Sequence, residues 1–486
     1  MIELEQVSYT YPHTVQKALN HLSFDLPRGK CVLVTGPSGA GKTTLCLASA
    51  GILHHEYGGK KEGRVILKGT DISTLASLSE VAKTIGIVFD DAEAQMIFTT
   101  VEEEILSALE YRGLAAEVVE ERLSAIMEKT HLTELKNRSP HHLSGGQKQR
   151  VALAATLALG NDILILDEPT SELDEAATAR IVEILRNLKN EGKTILLVEH
   201  KFDHFRDMVD TLVVMENGAI STMGSPEEVL RDERIHKIVF ADFSKIRSGI
   251  PNENTDSAPG KKPGATPVIV VKDLVYSYDK IRALDTISLT ITTGEFVAVV
   301  GENGSGKTTL VKHFNGLLNP ESGMVTIAGK DTKLSSTTEL SKQVGLVFQN
   351  PDHMFFADSV YDEVAFGLKN LGITDGDAII RSALEEVHLG HTGTLYPRWL
   401  SRGERQRLAI ACVIAMQPQI IVLDEPTTGL DGNEARLVME VLKRLQSKGH
   451  TIVIITHNQE IAGKCADRIL RMEGGRIISD TPARST

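Results

Sequence analysis

Two kinds of apolar pattern alternate along this chain. The first is the short uninterrupted run: CVLVT (Cys31–Thr35) and FVAVV (Phe296–Val300) lead directly into glycine-rich loops. ILIL (163–166) and IIVL (420–423) end in carboxylates, and Thr194–Val198 and Thr451–Ile455 are followed closely by a histidine. Runs of this length predict strands buried on both faces, so a parallel sheet with helices on either side is expected. The second kind is the longer stretch with helical periodicity, including helical insertions around 102–135 and 361–389. Ahead of each glycine loop, VSYTY (7–11) and LVYSY (274–278) alternate apolar and polar residues, predicting a small antiparallel part.

The pattern occurs twice. GPSGAGKTT (36–44) recurs as GENGSGKTT (301–309), LSGGQKQR (143–150) as LSRGERQR (400–407), and ILILDEPTSELD (163–174) as IIVLDEPTTGLD (420–431). TILLVEH, ending at His200, recurs as TIVIITH, ending at His457, in the same order. An internal duplication of this kind predicts two α/β domains, at 1–243 and 268–486. Between them, 244–267 is rich in Pro, Gly, Ser, Asn and Lys and reads as a linker. The length of 486 residues agrees, being too great for one ordinary core.

Composition narrows the function. The net charge of −13 argues against a protein that grips nucleic acid through its phosphates. Four cysteines without Cys-x-x-Cys spacing exclude the familiar cysteine-ligated metal sites and fit a reducing compartment. The opening MIELEQVSYTY has no basic segment followed by an apolar one, and no run approaches the ~18 apolar residues that span a bilayer. A cytoplasmic protein, or one peripheral to a membrane on that side, is expected.

The strand–Gly-x-x-x-x-Gly-Lys-Thr–helix motif is a phosphate cradle of the P-loop kind. Its glycines let backbone N–H groups approach a phosphate, and the helix start adds a positive dipole end. The candidate cradle residues are Gly36, Ser38, Gly39, Gly41 and Thr44 in the first copy, and Gly301, Asn303, Gly304, Gly306 and Thr309 in the second. Lys42 and Lys307 would bridge the β- and γ-phosphates of ATP, and Thr43 and Thr308 would place a hydroxyl on Mg²⁺. Asp167 and Asp424 would hold the metal through water, while Glu168 and Glu425 would orient and polarise the attacking water. A buried acidic pair with no metal would be costly. His200 and His457, each closing the next apolar strand, are candidate γ-phosphate sensors.

With the LSGGQ-type segment, these motifs resemble the nucleotide-binding domains of ABC transporters, over nearly the whole chain and in duplicate. The resemblance implies two tandem P-loop ATPase domains paired head to tail. Ser144, Gly146 and Gln147 of one half, and Ser401, Gly403 and Glu404 of the other, would face the opposite nucleotide. Ser144 and Ser401 stand where each can N-cap a helix whose positive end favours the γ-phosphate. Tyr11 and Tyr278 match the aromatic that stacks on adenine, and Asp174 and Asp431 match the loop that crosses between halves.

The halves differ. VFQNPD supplies Gln349 where the family places a glutamine near Mg²⁺, whereas VFDDAEAQ supplies Asp90. The second signature, LSRGE, has Arg402 where the first has Gly145, and Glu404 where it has Gln147. Head-to-tail pairing would gather every departure in one site, with Lys42, Asp90, Glu168 and His200 facing Ser401, Arg402 and Glu404. A carboxylate about 6 Å from another charge, at an effective dielectric near 20, interacts by roughly 3 kcal/mol. Asp90 must therefore ligate Mg²⁺ as an oxygen donor or be repelled by the phosphates. Both sites are expected to bind ATP, with the other site the faster hydrolyser.

The segments after these strands are similar to those in the ATPase components of energy-coupling factor (ECF) importers, which take up vitamins or transition metal ions. That resemblance implies membrane-embedded partners, a coupling protein and a substrate-binding component, with a coupling helix received beside Met96, Ile97, Phe98, Met354, Phe355 and Phe356. Two other readings remain: a soluble ABC ATPase acting on ribosomes or nucleic acid, and the fused ATPase of a sugar importer.

Overall fold

The computed structural model describes residues 1–239 and 266–483, apart from 13, 111, 112, 114, 172, 280 and 374. The chain divides into two compact units, Met1–Phe240 and Ala241–Thr486. The linker expected at 244–267 lies outside the described residues except for its last two, and the first strand of the second unit begins at Pro267.

In the first unit the strands are β1 (Ile2–Thr10), β2 (Leu19–Leu26), β3 (Cys31–Thr35), β4 (Lys60–Leu67), β5 (Thr70–Asp71), β6 (Ile85–Val88), β7 (Ile163–Asp167), β8 (Thr194–Val198), β9 (Thr211–Glu216) and β10 (Ala219–Gly224). They form a four-stranded sheet of order β2-β1-β4-β5 and a six-stranded sheet of order β10-β9-β3-β8-β7-β6. The smaller sheet is antiparallel as expected, but Val7, Ser8 and Tyr9 are all buried rather than alternating, because register shifts interrupt β1 there. In the larger sheet β9, β3, β8, β7 and β6 run parallel and only the edge strand β10 is reversed.

The second unit repeats this plan with β11 (Pro267–Tyr278), β12 (Ile281–Thr292), β13 (Phe296–Val300), β14 (Ser322–Ile327), β15 (Lys330–Asp331), β16 (Val344–Val347), β17 (Ile420–Asp424), β18 (Thr451–Ile455), β19 (Arg468–Glu473) and β20 (Arg476–Pro482). The sheet orders are β12-β11-β14-β15 and β16-β17-β18-β13-β19-β20.

The uninterrupted runs are explained by burial on both faces. Successive side chains of a strand point to opposite sides. Leu164 and Leu166 of β7 enter the core under the helices, whereas Ile163 and Ile165 enter a second core against the antiparallel sheet. In β17, Ile421 and Leu423 are divided from Ile420 and Val422 in the same way. Each fully buried side chain of this size stabilises the fold by about 1.5–3 kcal/mol. The helical insertions form Val101–Glu110 with Ala116–Lys129, and Val360–Asn370 with Asp377–Glu386.

Candidate functional site

Parallel order does the positioning. In the first unit β3, β8, β7 and β6 are neighbours, so their carboxyl ends deliver the glycine loop, His200, the Asp167–Glu168 pair and Asp90 to one edge of the sheet. Asp167 pairs with Val198, which pairs in turn with Val34 of β3. A crevice beyond the carboxyl ends of parallel strands is where α/β sheets place ligands. In the second unit β13, β18, β17 and β16 do the same for the loop at 301–306, His457, Asp424–Glu425 and Gln349.

The glycine loops have the conformations their sequence requires. A Cβ on Gly36 would stand 2.1 Å from the Met215 carbonyl oxygen, and one on Gly301 would stand 2.3 Å from that of Met472. Gly39 and Gly304 are also left-handed, at φ 75° and 82°. A Cβ at either would point into open space. Gly41 and Gly306 open the helices Lys42–Ser49 and Lys307–Lys312 without a side-chain cap. Lys42 and Lys307 are buried, and each folds back over its loop. Lys42 Nζ donates to the carbonyls of Gly36 and Pro37 at 2.9 and 3.0 Å, and Lys307 Nζ to those of Gly301 and Glu302 at 2.8 and 2.7 Å. Of the other loop residues, Ser38 is half-buried, Asn303, Thr43 and Thr308 are exposed, and Thr44 and Thr309 are buried.

The groups expected on the metal side differ between the units. The Thr308 hydroxyl donates to Asp424 at 2.7 Å. Both Asp167 oxygens, by contrast, are buried with no hydrogen bond of normal geometry, and Thr43 offsets only part of that cost. Burial, then the charges of Glu168 and Asp90, push Asp167 up to about 7. Burial also raises Asp424, where Thr308 and Lys307 oppose it and no Asp90 counterpart contributes. Buried orphan oxygens beside a threonine hydroxyl and a lysine fit a hydrated Mg²⁺.

Glu168 and Glu425 follow directly, in a left-handed conformation that is rare for a residue with a Cβ (φ 48° and 49°). Such a residue costs of order 1–3 kcal/mol and collects at functional sites. Each is held by its amide, which donates to Val198 at 2.9 Å or to Ile455 at 3.0 Å. Glu168 Oε1 lies 3.0 Å from His200 Nε2, and Glu425 Oε2 lies 3.0 Å from His457 Nδ1.

The remaining candidates sit elsewhere in each unit. Ser144 and Ser401 are N-caps of the helices Gly145–Ala158 and Arg402–Ala415, each within a capping box. Gln147 and Glu404 turn their side chains back to the Ser144 and Ser401 amides, at 3.0 and 2.8 Å. Gly146 and Gly403 are buried, packed against Ala177 and Glu434. The Arg402 guanidinium lies over Gly429, where an added Cβ would be 2.4 Å from Cζ. Asp174 and Asp431 N-cap the following helices, accepting from the Ala177 and Glu434 amides. Tyr11 reaches Thr44 Oγ1 at 3.3 Å and packs edge-on against Tyr9 and Tyr57. Tyr278 packs edge-on against Tyr276 and is 44% exposed.

The six apolar residues expected to line a groove divide. Met96 and Phe355 belong to the core, and Met354 packs against it. Ile97, Phe98 and Phe356 are exposed. What pins this segment was missed in the sequence. Glu104 is buried and accepts the Ile97 and Phe98 amides, both at 2.9 Å; Glu363 accepts those of Phe356 and Ala357 at 3.0 and 2.8 Å. Ion pairs also tie the segment to the signature helix, Glu93 to Lys148 at 2.5 Å and Asp352 to Arg405 at 2.9 Å. The available signal was a glutamate three residues after Val101 and after Val360, indistinguishable there from ordinary acidic residues at a helix start.

The family model described as ABC transporter matches residues 19–171 and again 284–428. A Methanosarcina mazei protein provisionally named an ABC transporter ATP-binding protein is 50% identical, over 99% of this chain and 95% of its own length. A Bacillus subtilis protein provisionally named HMP/thiamine import ATP-binding protein YkoD is 31% identical, over 100% of this chain and 92% of its own. Among solved structures, cbiO1 from Clostridium perfringens, described as part of the ABC transporter complex cbiONQ, is 35% identical. It covers 45% of this chain and 89% of its own, with a TM-score of 0.43.

Proposed function

The chain belongs to the ABC transporter family as an ATP-binding, ATP-hydrolysing component, and we propose that it is the fused two-cassette ATPase of an ECF-type importer for a vitamin or a transition metal ion. The observation that carries this reading is the pair of exposed apolar side chains at matching places in the two units. Ile97 is 82% exposed and Phe356 is 63% exposed, each seven residues after Asp90 or Gln349 in sequence and on a segment pinned by a buried glutamate. Solvated apolar residues held rigidly in this way suit the reception of a helix from another protein. Similarity to the HMP/thiamine import protein along its length supports a vitamin as cargo. Among the described residues no helix is long and apolar enough to cross a membrane, so membrane-embedded partners would carry the cargo. The protein would work against the cytoplasmic face of that membrane.

In this reading the units pair head to tail, so that Ser144 with Gln147, and Ser401 with Glu404, complete the opposite nucleotide sites. Lys42 and Lys307 would exchange loop carbonyls for the β- and γ-phosphates. Thr43 with Asp167, and Thr308 with Asp424, would hold Mg²⁺, which supplies neutralisation of the phosphate charge. Glu168 and Glu425 would orient water, and His200 and His457 would follow the γ-phosphate. Closure on ATP would draw the two pinned segments together with whatever helices they hold, and hydrolysis would release them.

Purification of the full chain from detergent-solubilised membranes, followed by reconstitution of ATP-dependent vitamin uptake, tests the proposal. Small multi-span membrane proteins should copurify, and Phe356→Asp should reduce both their recovery and uptake. Recovery with ribosomes, unaffected by Phe356→Asp, would replace the importer with the soluble alternative.

A further inference from the structure

Between β8 and His200 lies a carboxylic acid that the hydrolytic scheme does not use. Glu199 is 1% exposed, and so is surrounded by protein on all sides. One of its oxygens accepts two bonds from Thr170, from the amide at 2.9 Å and from the hydroxyl at 2.5 Å. The other accepts the His200 amide at 3.1 Å. Thr170 is itself fully buried and stands two residues after Glu168. The contacts therefore close a ring. Glu168 leads through the chain to Thr170, Thr170 is bonded to Glu199, Glu199 precedes His200, and the His200 imidazole returns to Glu168 at 3.0 Å.

Among the described residues the second unit shows no such ring. Its residue in the place of Glu199 is Thr456, whose hydroxyl accepts the Asn458 amide at 3.0 Å. The counterpart of Thr170 is Thr427, which is only half-buried. The histidine also meets its glutamate through a different nitrogen, Nδ1 in place of Nε2. Burying a carboxyl group is costly unless its bonds are satisfied, and here three donors satisfy it. Burial accordingly raises Glu199 above the usual carboxylate range, with the Glu168 charge adding to the shift and Thr170 opposing it.

We propose that Glu199 is a positioning residue of the first unit, locking the backbone after Glu168 to the backbone of His200 so that their side chains are held face to face for hydrolysis. The second unit positions Glu425 and His457 without this lock, so the two halves reach similar pairings by different supports. The inference rests on the reading of Glu168 and His200 as the hydrolytic pair.

The test uses the full chain carrying Glu425→Gln, so that single-turnover ATP hydrolysis reports the first unit. Glu199→Ala is expected to lower the maximal single-turnover rate about tenfold or more, with half-saturation by Mg-ATP within about twofold, as a loss confined to the transition state requires. Glu199→Gln keeps an acceptor for Thr170 but sets an NH2 group against the His200 amide, so it should recover only part of that rate. Thr170→Val removes the hydroxyl from the other side and should cost roughly three- to tenfold, the worth of one hydrogen bond. When Glu168→Gln is also present, none of these changes should slow the reaction further. An additive loss there, or an equal rise in the half-saturating Mg-ATP concentration, would reduce Glu199 to a packing residue and overturn the proposal. Should Glu199→Ala fail to fold, Thr170→Val and Glu199→Gln carry the same comparison. Unchanged single-turnover hydrolysis when Glu168→Gln is added to the Glu425→Gln chain would instead overturn the reading of Glu168 on which the lock depends.

Discussion

Glu168 and His200 meet through Oε1 and Nε2 at 3.0 Å, whereas Glu425 and His457 meet through Oε2 and Nδ1 at the same distance. Equal separations are reached through different imidazole nitrogens, so in the proposed scheme a different nitrogen would be left to face the phosphate in each unit. Asp90 adds a second asymmetry, since its charge bears on Asp167 and Gln349 carries none. Glu425→Gln is therefore expected to lower steady-state ATPase activity about 100-fold, in the range of a lost transition-state group. Glu168→Gln should lower it less than tenfold. Equal losses, measured side by side at saturating Mg-ATP, would count against two unequal sites.

The raised pKa of Asp167 makes a pH prediction with a definite sign. Its carboxyl titrates near 3.8 in the unfolded chain and is pushed up to about 7 in the fold, so the folded state holds the proton more tightly. The stabilisation this contributes is complete below about pH 3.8 and is lost as the pH rises to about 7. Asp167→Asn removes the charged form altogether. Without nucleotide or Mg²⁺, that variant should melt higher than the parent at pH 8, with the difference shrinking toward pH 5. Melting curves across that range check it, and a difference independent of pH would contradict the assignment.

Gly36 and Gly39 should respond differently to the same substitution. Gly36→Ala drives a methyl group to 2.1 Å from a backbone oxygen that cannot move aside, and should cost at least ~3 kcal/mol of stability. Gly39→Ala meets only open space, so its cost is the left-handed backbone alone, about 1 kcal/mol. The same open space is where a phosphate would come closest, and ATP affinity should fall at least about tenfold. Denaturant melts and nucleotide titrations separate the two effects.

Glu363 holds the Phe356 and Ala357 amides from a buried position. Glu363→Ala strips both donors of their acceptor and should cost roughly 2–3 kcal/mol locally, equivalent to about 30- to 150-fold faster hydrogen exchange at those amides. Exchange elsewhere in β16 and β17 should change little. Slow exchange at Phe356 in the variant would mean that another group holds the segment.

Much of this protein was written in one dimension. The duplication, the fold class, the parallel strands and both glycine loops follow from local pattern, because a strand buried on both faces must be apolar throughout and a phosphate cradle must have glycine where backbone crowds backbone. Asp167, Glu168 and His200 could be found because each stands at the end of such a strand. Tertiary structure alone decided what depends on distant segments meeting. Met96 and Phe355 turned inward while Ile97 and Phe356 stayed in solvent, a division invisible in a run of equally apolar letters. Gln147 and Glu404, expected to reach outward, fold back to cap their own helices. Glu104, Glu363 and Glu199 looked like ordinary surface acids until folding buried them against backbone amides. A carboxylate's role is set by the donors it meets, and residues 29 apart in sequence, such as Thr170 and Glu199, meet only once the strands have assembled.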